Sequence, residues 1–322
     1  MLLRMLMGRI AIIVPVSVHE PINTLVKSAQ HLKGLDSGDH QVKILYIFDG
    51  DEKDERVTAL RESGVDVLAR NTNRGKRAGA INDGLEFLKK YRPDFVAIFD
   101  ADSRPSRRFV VECIRKMRSD VFISSAKREI INPYTYVAEG VFIEYKLIGS
   151  LLRISGFRQF NGLIGVLNQR YLFRYRLNEN CMTEDADFST RMHSLGLRAE
   201  LCDGALFEQA PVKVEDFISQ RKRWYYGGME LWKYFSDVIS SGNPKFVISW
   251  IMALTLTYFP LLFLIPSLLT LPSLVIRYGI RGIRVYVGLI TYIFILQYSA
   301  ISAMLSFARK ESIEWRAIGR VE

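Results

Sequence analysis

Acidic residues end two apolar, β-branched segments in the first third of the chain. Asp49 follows the segment Val42 to Phe48, and Asp100 and Asp102 follow the segment Phe95 to Phe99. Such segments are typical of buried parallel strands, and a doubly wound sheet binds its ligands beyond the carboxyl ends of its strands. Carboxylates at that edge can hold a divalent cation, which neutralises the charge of a departing diphosphate. The pattern therefore predicts a nucleotide and metal site.

A further acidic motif, Thr183-Glu184-Asp185, stands directly before a segment whose apolar residues have helical spacing. One interpretation is structural, since Thr and Asp side chains cap the N-termini of helices. The other is catalytic, since a carboxylate held near a hydroxyl group can take its proton as the hydroxyl attacks. The two interpretations are compatible.

The segment Gln220-Arg221-Lys222-Arg223-Trp224 lies on a predicted amphipathic helix. Residues three or four positions apart are neighbours on a helix, so Gln220, Arg223 and Trp224 share one side. An indole face can stack on a sugar ring, and a guanidinium can pair with phosphate oxygens. An ordinary membrane-surface helix explains the Trp and the Arg but not the ordered set, and on such a helix Arg221 and Lys222 would meet lipid headgroups.

Four motifs stand in a fixed order ahead of the apolar C-terminal part of the chain. They are Asp49, Asp100-Ala101-Asp102, Thr183-Glu184-Asp185 and Gln220-x-x-Arg223-Trp224. This order resembles the family 2 glycosyltransferases of the membrane-bound, cellulose-synthase-like type, over about residues 10 to 245 and the architecture after them. The resemblance implies a GT-A type α/β catalytic domain, with a Rossmann-like mixed sheet, followed by C-terminal transmembrane helices.

The resemblance implies a donor site for a nucleotide sugar, namely a UDP-sugar. In the family, the acid that Asp49 resembles contacts the uracil base, and Asp51 is the rival for that role. Glu20 would lie near the base or the ribose, although its segment has one residue more than the family's Pro-x-Tyr-Asn-Glu-Pro opening and no tyrosine. Asp100 and Asp102 would be at the ribose and at the metal, which would be Mg2+ or Mn2+.

A basic segment at a predicted helix N-terminus is a candidate for the diphosphate. The backbone N–H groups of such a terminus attract anions, and either Lys76 or Arg77 would add a positive charge. The alternative is a helix start with solvated cations. The family's Gly-Lys-x-Gly pattern before an asparagine favours the diphosphate, and Asn82 fits that asparagine.

The resemblance also implies how the sugar is transferred. Transfer with inversion needs a base on the sugar face opposite the leaving diphosphate. The family gives that role to the aspartate of Thr-Glu-Asp, which is Asp185 here, with Thr183 and Glu184 as its motif neighbours.

Three further contacts are implied on the same grounds. Trp224 would stack on the acceptor sugar, while Gln220 and Arg223 would contact the diphosphate. Gly162 lies in a segment that resembles the family's cradle for the donor sugar or the acceptor terminus, and the local pattern at residues 161–166 predicts a strand with flanking turns.

The composition limits the remaining function classes. The net charge of +10 over 322 residues could suit nucleic acid, but no nucleic-acid-binding module is present, and sugar-nucleotide and lipid phosphates account for the charge. The three cysteines, Cys113, Cys181 and Cys202, have no metal spacing. Such a sparse, odd count favours a reducing compartment without a disulfide framework.

Two uncharged segments, residues 246–276 and 285–308, are each long enough to cross a membrane. The predicted domains are a glycosyltransferase domain (1–212), an amphipathic interfacial region (213–245), a membrane domain with two transmembrane helices (246–308) and a cytoplasmic tail (309–322). Prolines in the first segment make a pair of short or re-entrant helices the alternative there. These domains predict a multi-pass protein of the cell membrane with a cytoplasmic catalytic domain.

The resulting functional hypothesis is an inverting hexosyltransferase that extends a β-linked polysaccharide from UDP-glucose or a related UDP-hexose. Two helices form a thin channel for a polymer, so this hypothesis calls for a homo-oligomer. The alternative is transfer of one sugar to a lipid acceptor, as in ceramide-glucosyltransferase-like enzymes. A non-catalytic scaffold that binds a sugar nucleotide at the membrane is the competing class, and loss of the motif acids, all of which are present, would indicate it.

Overall fold

The structure of the protein is a computed structural model that describes residues 8–311 and residue 313. The chain divides into two compact units, the first formed by Met1–Lys127 with Arg158–Phe207 and the second by Arg128–Phe157 with Glu208–Glu322. Most of the predicted tail, 309–322, lies outside the described residues.

The regular elements of the described residues are strands, α-helices and short 3-10 turns. The strands are β1 (Arg9–Ser17), β2 (Gln41–Asp49), β3 (Asp66–Ala69), β4 (Phe95–Ile98), β5 (Arg104–Pro105), β6 (Val121–Ile130), β7 (Gly165–Asn168) and β8 (Arg198–Glu208). The helices are α1 (Ile22–Lys33), α2 (Glu55–Glu62), α3 (Lys76–Leu88), α4 (Phe109–Lys116), α5 (Tyr136–Ile154), α6 (Gln169–Tyr175), α7 (Glu184–Ser194), α8 (Val214–Glu230), α9 (Phe235–Ser240), α10 (Pro244–Thr255), α11 (Leu264–Leu268), α12 (Leu271–Tyr278) and α13 (Arg281–Ala308).

The strands form one mixed sheet in the order β3-β2-β1-β4-β7-β6-β8-β5. Strands β1 to β4 pair in parallel, whereas β7 runs antiparallel to both β4 and β6. The sheet therefore has the mixed topology that the sequence predicts.

The parallel strands place their acidic ends at one edge of the sheet. Asp49 is the last residue of β2 and pairs with Ser17 of β1, while Asp100 follows β4 on the other side of β1. With strands spaced by about 4.8 Å, two strands that flank a third lie about 10 Å apart. That separation suits a ligand the size of a nucleotide.

Burial explains why these strands form where the sequence predicts them. Ile10, Ile12 and Val14 of β1 are almost fully buried and pack in one core with Leu25 of α1 and Phe48 of β2. Each such side chain stabilises the fold by about 1.5–3 kcal/mol when it leaves water.

Two long elements, β6 and α5, lie between residues 121 and 154, and the local sequence pattern does not predict them. Strand β6 escaped notice because serines interrupt its apolar pattern, yet Ser125 is buried and its hydroxyl donates to the Ile164 carbonyl at 2.6 Å. Helix α5 was missed as well. The strand predicted at 161–166 was wrong in part, because Asn161–Leu163 is a 3-10 turn and β7 begins only at Gly165.

The second unit is helical, and α13 packs against α5 and α8. Gly140 of α5 permits a close approach, since a Cβ at this position would lie 2.6 Å from the Cβ of Tyr292 on α13. A larger residue at position 140 would push the two helices apart.

The two uncharged segments have different structures. Residues 285–308 belong to one helix, α13, of 28 residues, whereas the first segment breaks and turns by 89° between Pro244–Tyr258 and Pro260–Leu268. Pro260 lacks the N–H group that would continue the helix. Two straight spans are therefore not observed, and the alternative of a broken first segment describes the structure.

By length and composition, one helix of the described residues could cross a membrane, and a second could if the bent pair forms one span. The arginines between the two uncharged segments lie in helices. Arg277 lies within α12, and both Arg281 and Arg284 lie within α13.

Candidate functional site

Three segments of the first unit bring the candidate catalytic residues together. Asp100 stands in the tight turn that follows β4, where the Ser103 backbone N–H donates to the Asp100 carbonyl at 3.0 Å. Arg77 lies in the first turn of α3, and Asp185 in the first turn of α7. Both helices therefore contribute side chains from their N-terminal ends, which carry partial positive charge.

Arg77 connects these segments to the turn at Gly162. Its Nε donates to Asp100 Oδ1 at 3.0 Å, its Nη1 to Glu184 Oε1 at 2.7 Å, and its Nη2 to the Gly162 carbonyl at 2.6 Å. Burial disfavours the charged guanidinium, but the carboxylates of Asp100, Glu184 and Asp185 raise the pKa of Arg77 above its ordinary value. Arg77 is therefore a permanent positive charge at the centre of the site.

Asp185 is held by two backbone N–H groups. The Gly162 N–H donates to Asp185 Oδ2 at 2.6 Å, and the N–H of Ala186 donates to Oδ1 at 2.9 Å. Gly162 has φ 64°, and a Cβ there would lie 3.3 Å from the Arg77 guanidinium and 3.5 Å from Asp100 Oδ2. The turn therefore favours glycine both for its backbone conformation and for its close neighbours.

The other two residues of the acidic motif are buried or nearly so. The Glu184 side chain is 14% exposed, and burial raises its pKa, an effect that Arg77 opposes and Asp185 reinforces. Thr183 stands at the N-cap of α7, but its side chain makes no capping hydrogen bond. Capping by Thr183, one of the two interpretations of this motif, is therefore not observed.

Asp49 is bound to an arginine that the sequence analysis did not single out. Arg70 Nε lies 2.7 Å from Asp49 Oδ1, and the Arg70 side chain is only 5% exposed. Burial raises the pKa of Asp49 to about 6, although Arg70 lowers it. The signal that could have found Arg70 is its position, since it directly follows β3 at the same edge of the sheet.

Asp51 and Glu20, the other acids predicted at the nucleotide site near Asp49, make hydrogen bonds within their own turns. Asp51 accepts the backbone N–H of Lys53 at 2.8 Å, which is the contact of a turn residue. Glu20 follows β1, and its backbone N–H donates to the Ser17 carbonyl at 3.2 Å. Both residues thus stand in turns that follow β1 and β2.

Asn82, which matches the family asparagine, binds protein groups on the segment before α7. Its amide donates to the Leu177 carbonyl and to Glu179 Oε1, both at 2.9 Å, and its carbonyl accepts the Leu177 N–H at 3.1 Å. This residue ties α3 to the chain that leads into the acidic motif.

Both acids predicted to bind metal lie in the segment that follows β4. The Asp100 side chain is 38% exposed, with Oδ1 on Arg77, and Asp102 is half-buried two residues further on. Across residues 8–311 and 313, no group of three His, Cys, Asp or Glu side chains forms a complete metal cage. A pair of carboxylates suits Mg2+ or Mn2+ when substrate phosphates and water complete the shell.

The Gln220-x-x-Arg223-Trp224 motif belongs to α8 of the second unit, where these three side chains are half-buried. Arg221 is only 4% exposed and pairs with Glu144 of α5. The prediction that Arg221 meets lipid headgroups is therefore wrong, because the buried guanidinium is paired with a carboxylate of the protein.

Comparisons with known proteins agree with this fold. The model of a family described as Glycosyl transferase family group 2 matches residues 95–308. The Mannosyltransferase PcManGT from Pyrobaculum calidifontis, solved in complex with GDP-Man and Mn2+, superposes with a TM-score of 0.67 at 16% identity, over 95% of this chain and 88% of that one. At this identity the similarity shows the fold, and it confirms the predicted GT-A type domain.

A curated relative matches over a short segment. The "Probable glucomannan 4-beta-mannosyltransferase 4" of Oryza sativa subsp. japonica is 38% identical over 56 residues, which are 17% of this chain and 10% of that protein. The chain thus aligns with only a tenth of that relative's length.

Proposed function

The chain belongs to glycosyl transferase family group 2, and on that premise we propose that it transfers a hexose, with inversion, from a nucleoside-diphosphate donor to a growing polysaccharide at the membrane. One set of contacts carries the proposal. Arg77 binds Asp100, Glu184 and the Gly162 carbonyl, and the Gly162 N–H donates to Asp185. The positively charged Arg77, the three carboxylates and the sharp turn at Gly162 can together hold a phosphorylated donor beside a base.

On the donor side, we assign Asp100 and Asp102 to a divalent cation, Mg2+ or Mn2+. When bound, the cation would stabilise the negative charge of the leaving diphosphate. Arg77, with Lys76 beside it at the start of α3, would pair with the phosphate oxygens. Asp49 and Glu20 are assigned to the base and the ribose, because both follow neighbouring strands at the same sheet edge.

On the acceptor side, we assign Asp185 as the general base. Its carboxylate is oriented by the Gly162 N–H, so it can take the proton of an acceptor hydroxyl as the new glycosidic bond forms. Trp224 is assigned to stacking on an acceptor sugar, and Gln220 and Arg223 to the diphosphate, on the strength of their motif.

The donor sugar is proposed as a hexose, with UDP-glucose or a related UDP-hexose as the first donor to test. The names of both relatives refer to mannosyl transfer, and one of them was solved with GDP-Man and Mn2+. GDP-mannose therefore belongs in the same donor panel.

The membrane location rests on the apolar surface of the second unit. Large apolar side chains are highly exposed there, including Ile265 (74%), Leu269 (77%) and Ile276 (86%). Exposed apolar surface of this kind suits lipid. We propose a multi-pass protein of the cell membrane, with the bent pair as one span and the catalytic unit in the cytoplasm.

A lipid acceptor is the second candidate, and one observation favours it. The described helices provide one span, or two with the bent pair, which is few for enclosing a polymer. A polymer-forming enzyme would have to build its channel from several copies of the chain, whereas transfer of a single sugar to a lipid needs no channel.

The test is nucleotide release by detergent-purified protein, with a panel of UDP-sugars and GDP-mannose and with Mg2+ or Mn2+, followed by mass analysis of the products. A ladder of masses spaced by one hexose would support the polysaccharide. One hexose on a co-purified lipid would support the lipid acceptor. A protein that releases nucleotide from none of these donors, with membrane lipids present, would contradict hexosyl transfer.

Replacing Asp102 with alanine should remove the dependence of nucleotide binding on metal. We expect Mn2+ to raise the affinity of the wild-type protein for the nucleoside diphosphate by about tenfold or more, because a cation held by Asp100 and Asp102 would offset the negative charge of the diphosphate. Calorimetric titration with and without Mn2+ measures this ratio. Asp120→Ala, which removes an acid that pairs with Arg198, is the control and should keep the ratio. A full Mn2+ effect in Asp102→Ala would refute the metal assignment.

A further inference from the structure

Arg221 of α8 is enclosed by groups from three helices of the second unit. Its Nη1 and Nη2 donate to Glu144 Oε1 and Oε2 of α5 at 2.7 and 2.6 Å. Its guanidinium carbon lies 4.8 Å from the ring centroid of Phe217 on α8 and 5.9 Å from that of Tyr292 on α13. The arginine of this ion pair is therefore held by packing as well as by its two hydrogen bonds.

The same guanidinium lies over the indole of Trp224, with 4.2 Å between the guanidinium carbon and the ring centroid. A planar cation at this distance is stacked on the ring face. One face of the indole is therefore covered by Arg221, and the Trp224 side chain is held in one orientation before any ligand arrives.

We propose that the Arg221–Glu144 pair positions Trp224, so that its indole can offer only the face opposite Arg221 to a sugar ring of the acceptor. Arg221 and Glu144 are positioning residues that act through Trp224. The inference rests on the proposed function, because it takes Trp224 as the stacking surface for the acceptor.

The stacked guanidinium of Arg221 limits how freely the indole of Trp224 can rotate. A freely rotating indole loses side-chain entropy when a ligand stacks on it, and that loss weakens binding. Lysine at position 221 would keep the positive charge but lose both the bidentate fork to Glu144 and the flat surface under the indole. Arg221→Lys therefore tests the positioning more sharply than a change of charge does.

A second arginine that pairs with a glutamate of α5 supplies a matched control. Arg281 of α13 pairs with Glu139, at 3.1 Å between Nη2 and Oε1, and Glu139 is 1% exposed. Arg281→Lys thus weakens another arginine–glutamate pair of the same unit, one whose arginine is half exposed, without changing a group on Trp224.

The first arm of the experiment needs no catalysis. In protein labelled with 5-fluorotryptophan, the 19F resonance of Trp224 is assigned by its loss in Trp224→Phe. We expect Arg221→Lys and Glu144→Gln to shift this resonance, and Arg281→Lys to leave it in place. A Trp224 resonance that neither Arg221→Lys nor Glu144→Gln moves would overturn the positioning role.

The second arm measures steady-state kinetics with the acceptor and donor found for the wild-type enzyme. Arg221→Lys should raise the KM for the acceptor about five- to tenfold and leave the KM for the donor within about twofold. Equal increases in both KM values, or the same acceptor KM shift in Arg281→Lys, would overturn the link to the acceptor. If the wild-type enzyme transfers no sugar, the proposed function fails, and the resonance still decides the positioning of Trp224.

Discussion

An Asp185→Asn enzyme is expected to bind the donor nucleotide as tightly as the wild-type enzyme and to transfer sugar at least about a hundredfold more slowly. Asparagine has the same shape, and its side-chain carbonyl can still accept the Gly162 N–H, so the turn should persist. It cannot take a proton at neutral pH. General-base catalysis typically contributes about 10²- to 10⁴-fold to a rate.

Transfer rates at saturating donor, together with nucleotide titrations, measure this separation of binding from turnover. Asp187→Asn is the control, because Asp187 is fully buried, lies two residues further along α7 and pairs with Arg191. That variant should lose thermal stability rather than turnover per folded molecule. Substantial transfer by Asp185→Asn would remove Asp185 from the role of base.

The second large effect is expected at Arg77. Replacement by glutamine removes the guanidinium shared by Asp100 and Glu184, and with it the proposed contact to the diphosphate. Hydrogen bonds to charged groups contribute about 1.5–3 kcal/mol each, so transfer should fall by about a hundredfold or more. Thermal stability should fall as well, chiefly because Glu184 loses its partner. Asp100 is more exposed, so water replaces part of the contact that it loses with Arg77.

The stability loss in Arg77→Gln should depend on pH. Burial already raises the pKa of Glu184, and removal of Arg77 takes away the charge that lowers it. The folded variant then holds a proton on Glu184 that the unfolded chain releases, so its stability falls as the pH rises. The gap in Tm between wild type and Arg77→Gln should therefore be larger at pH 8 than at pH 5.

Arg74→Gln is the matched control for Arg77. Arg74 is half exposed and pairs with Asp83 and Glu179 just before α3. Exposed ion pairs contribute little, so its Tm gap should be small and nearly independent of pH. An equal gap for Arg77→Gln at pH 5 and pH 8 would show that Glu184 does not depend on Arg77 for its charge.

Local patterns predicted the parallel half of the sheet and the acids at its edge. Strands β1, β2 and β4 are continuous β-branched runs, and a chain that leaves such a strand must turn at the sheet edge, so Asp49 and Asp100 could be placed from sequence. The contacts of Arg77 could not be predicted. They join residues 77, 100, 162 and 184, and only the tertiary fold determines which of several carboxylates and carbonyls the guanidinium reaches.

Helix α5 shows a different limit of sequence reasoning. Its apolar run contains Glu139 and Glu144, whose charges look out of place among apolar neighbours until their partners are known. Those partners, Arg281 and Arg221, are 142 and 77 residues away in the chain. The prediction for Arg221 was wrong for the same reason. A basic residue on an amphipathic helix can face a membrane surface or pair with a carboxylate inside the protein, and the local sequence does not distinguish the two.

The separation between Glu139 and Arg281 also has a consequence for biosynthesis. At about 5–20 residues per second, the ribosome needs roughly 7–28 s to make the 142 residues between them. During that time Glu139 lacks the arginine that neutralises it, and a buried, unpaired carboxylate is costly. Burial of the Glu139 carboxylate is therefore disfavoured until α13 emerges, so the order of synthesis affects when the helices of the second unit can close around their charges.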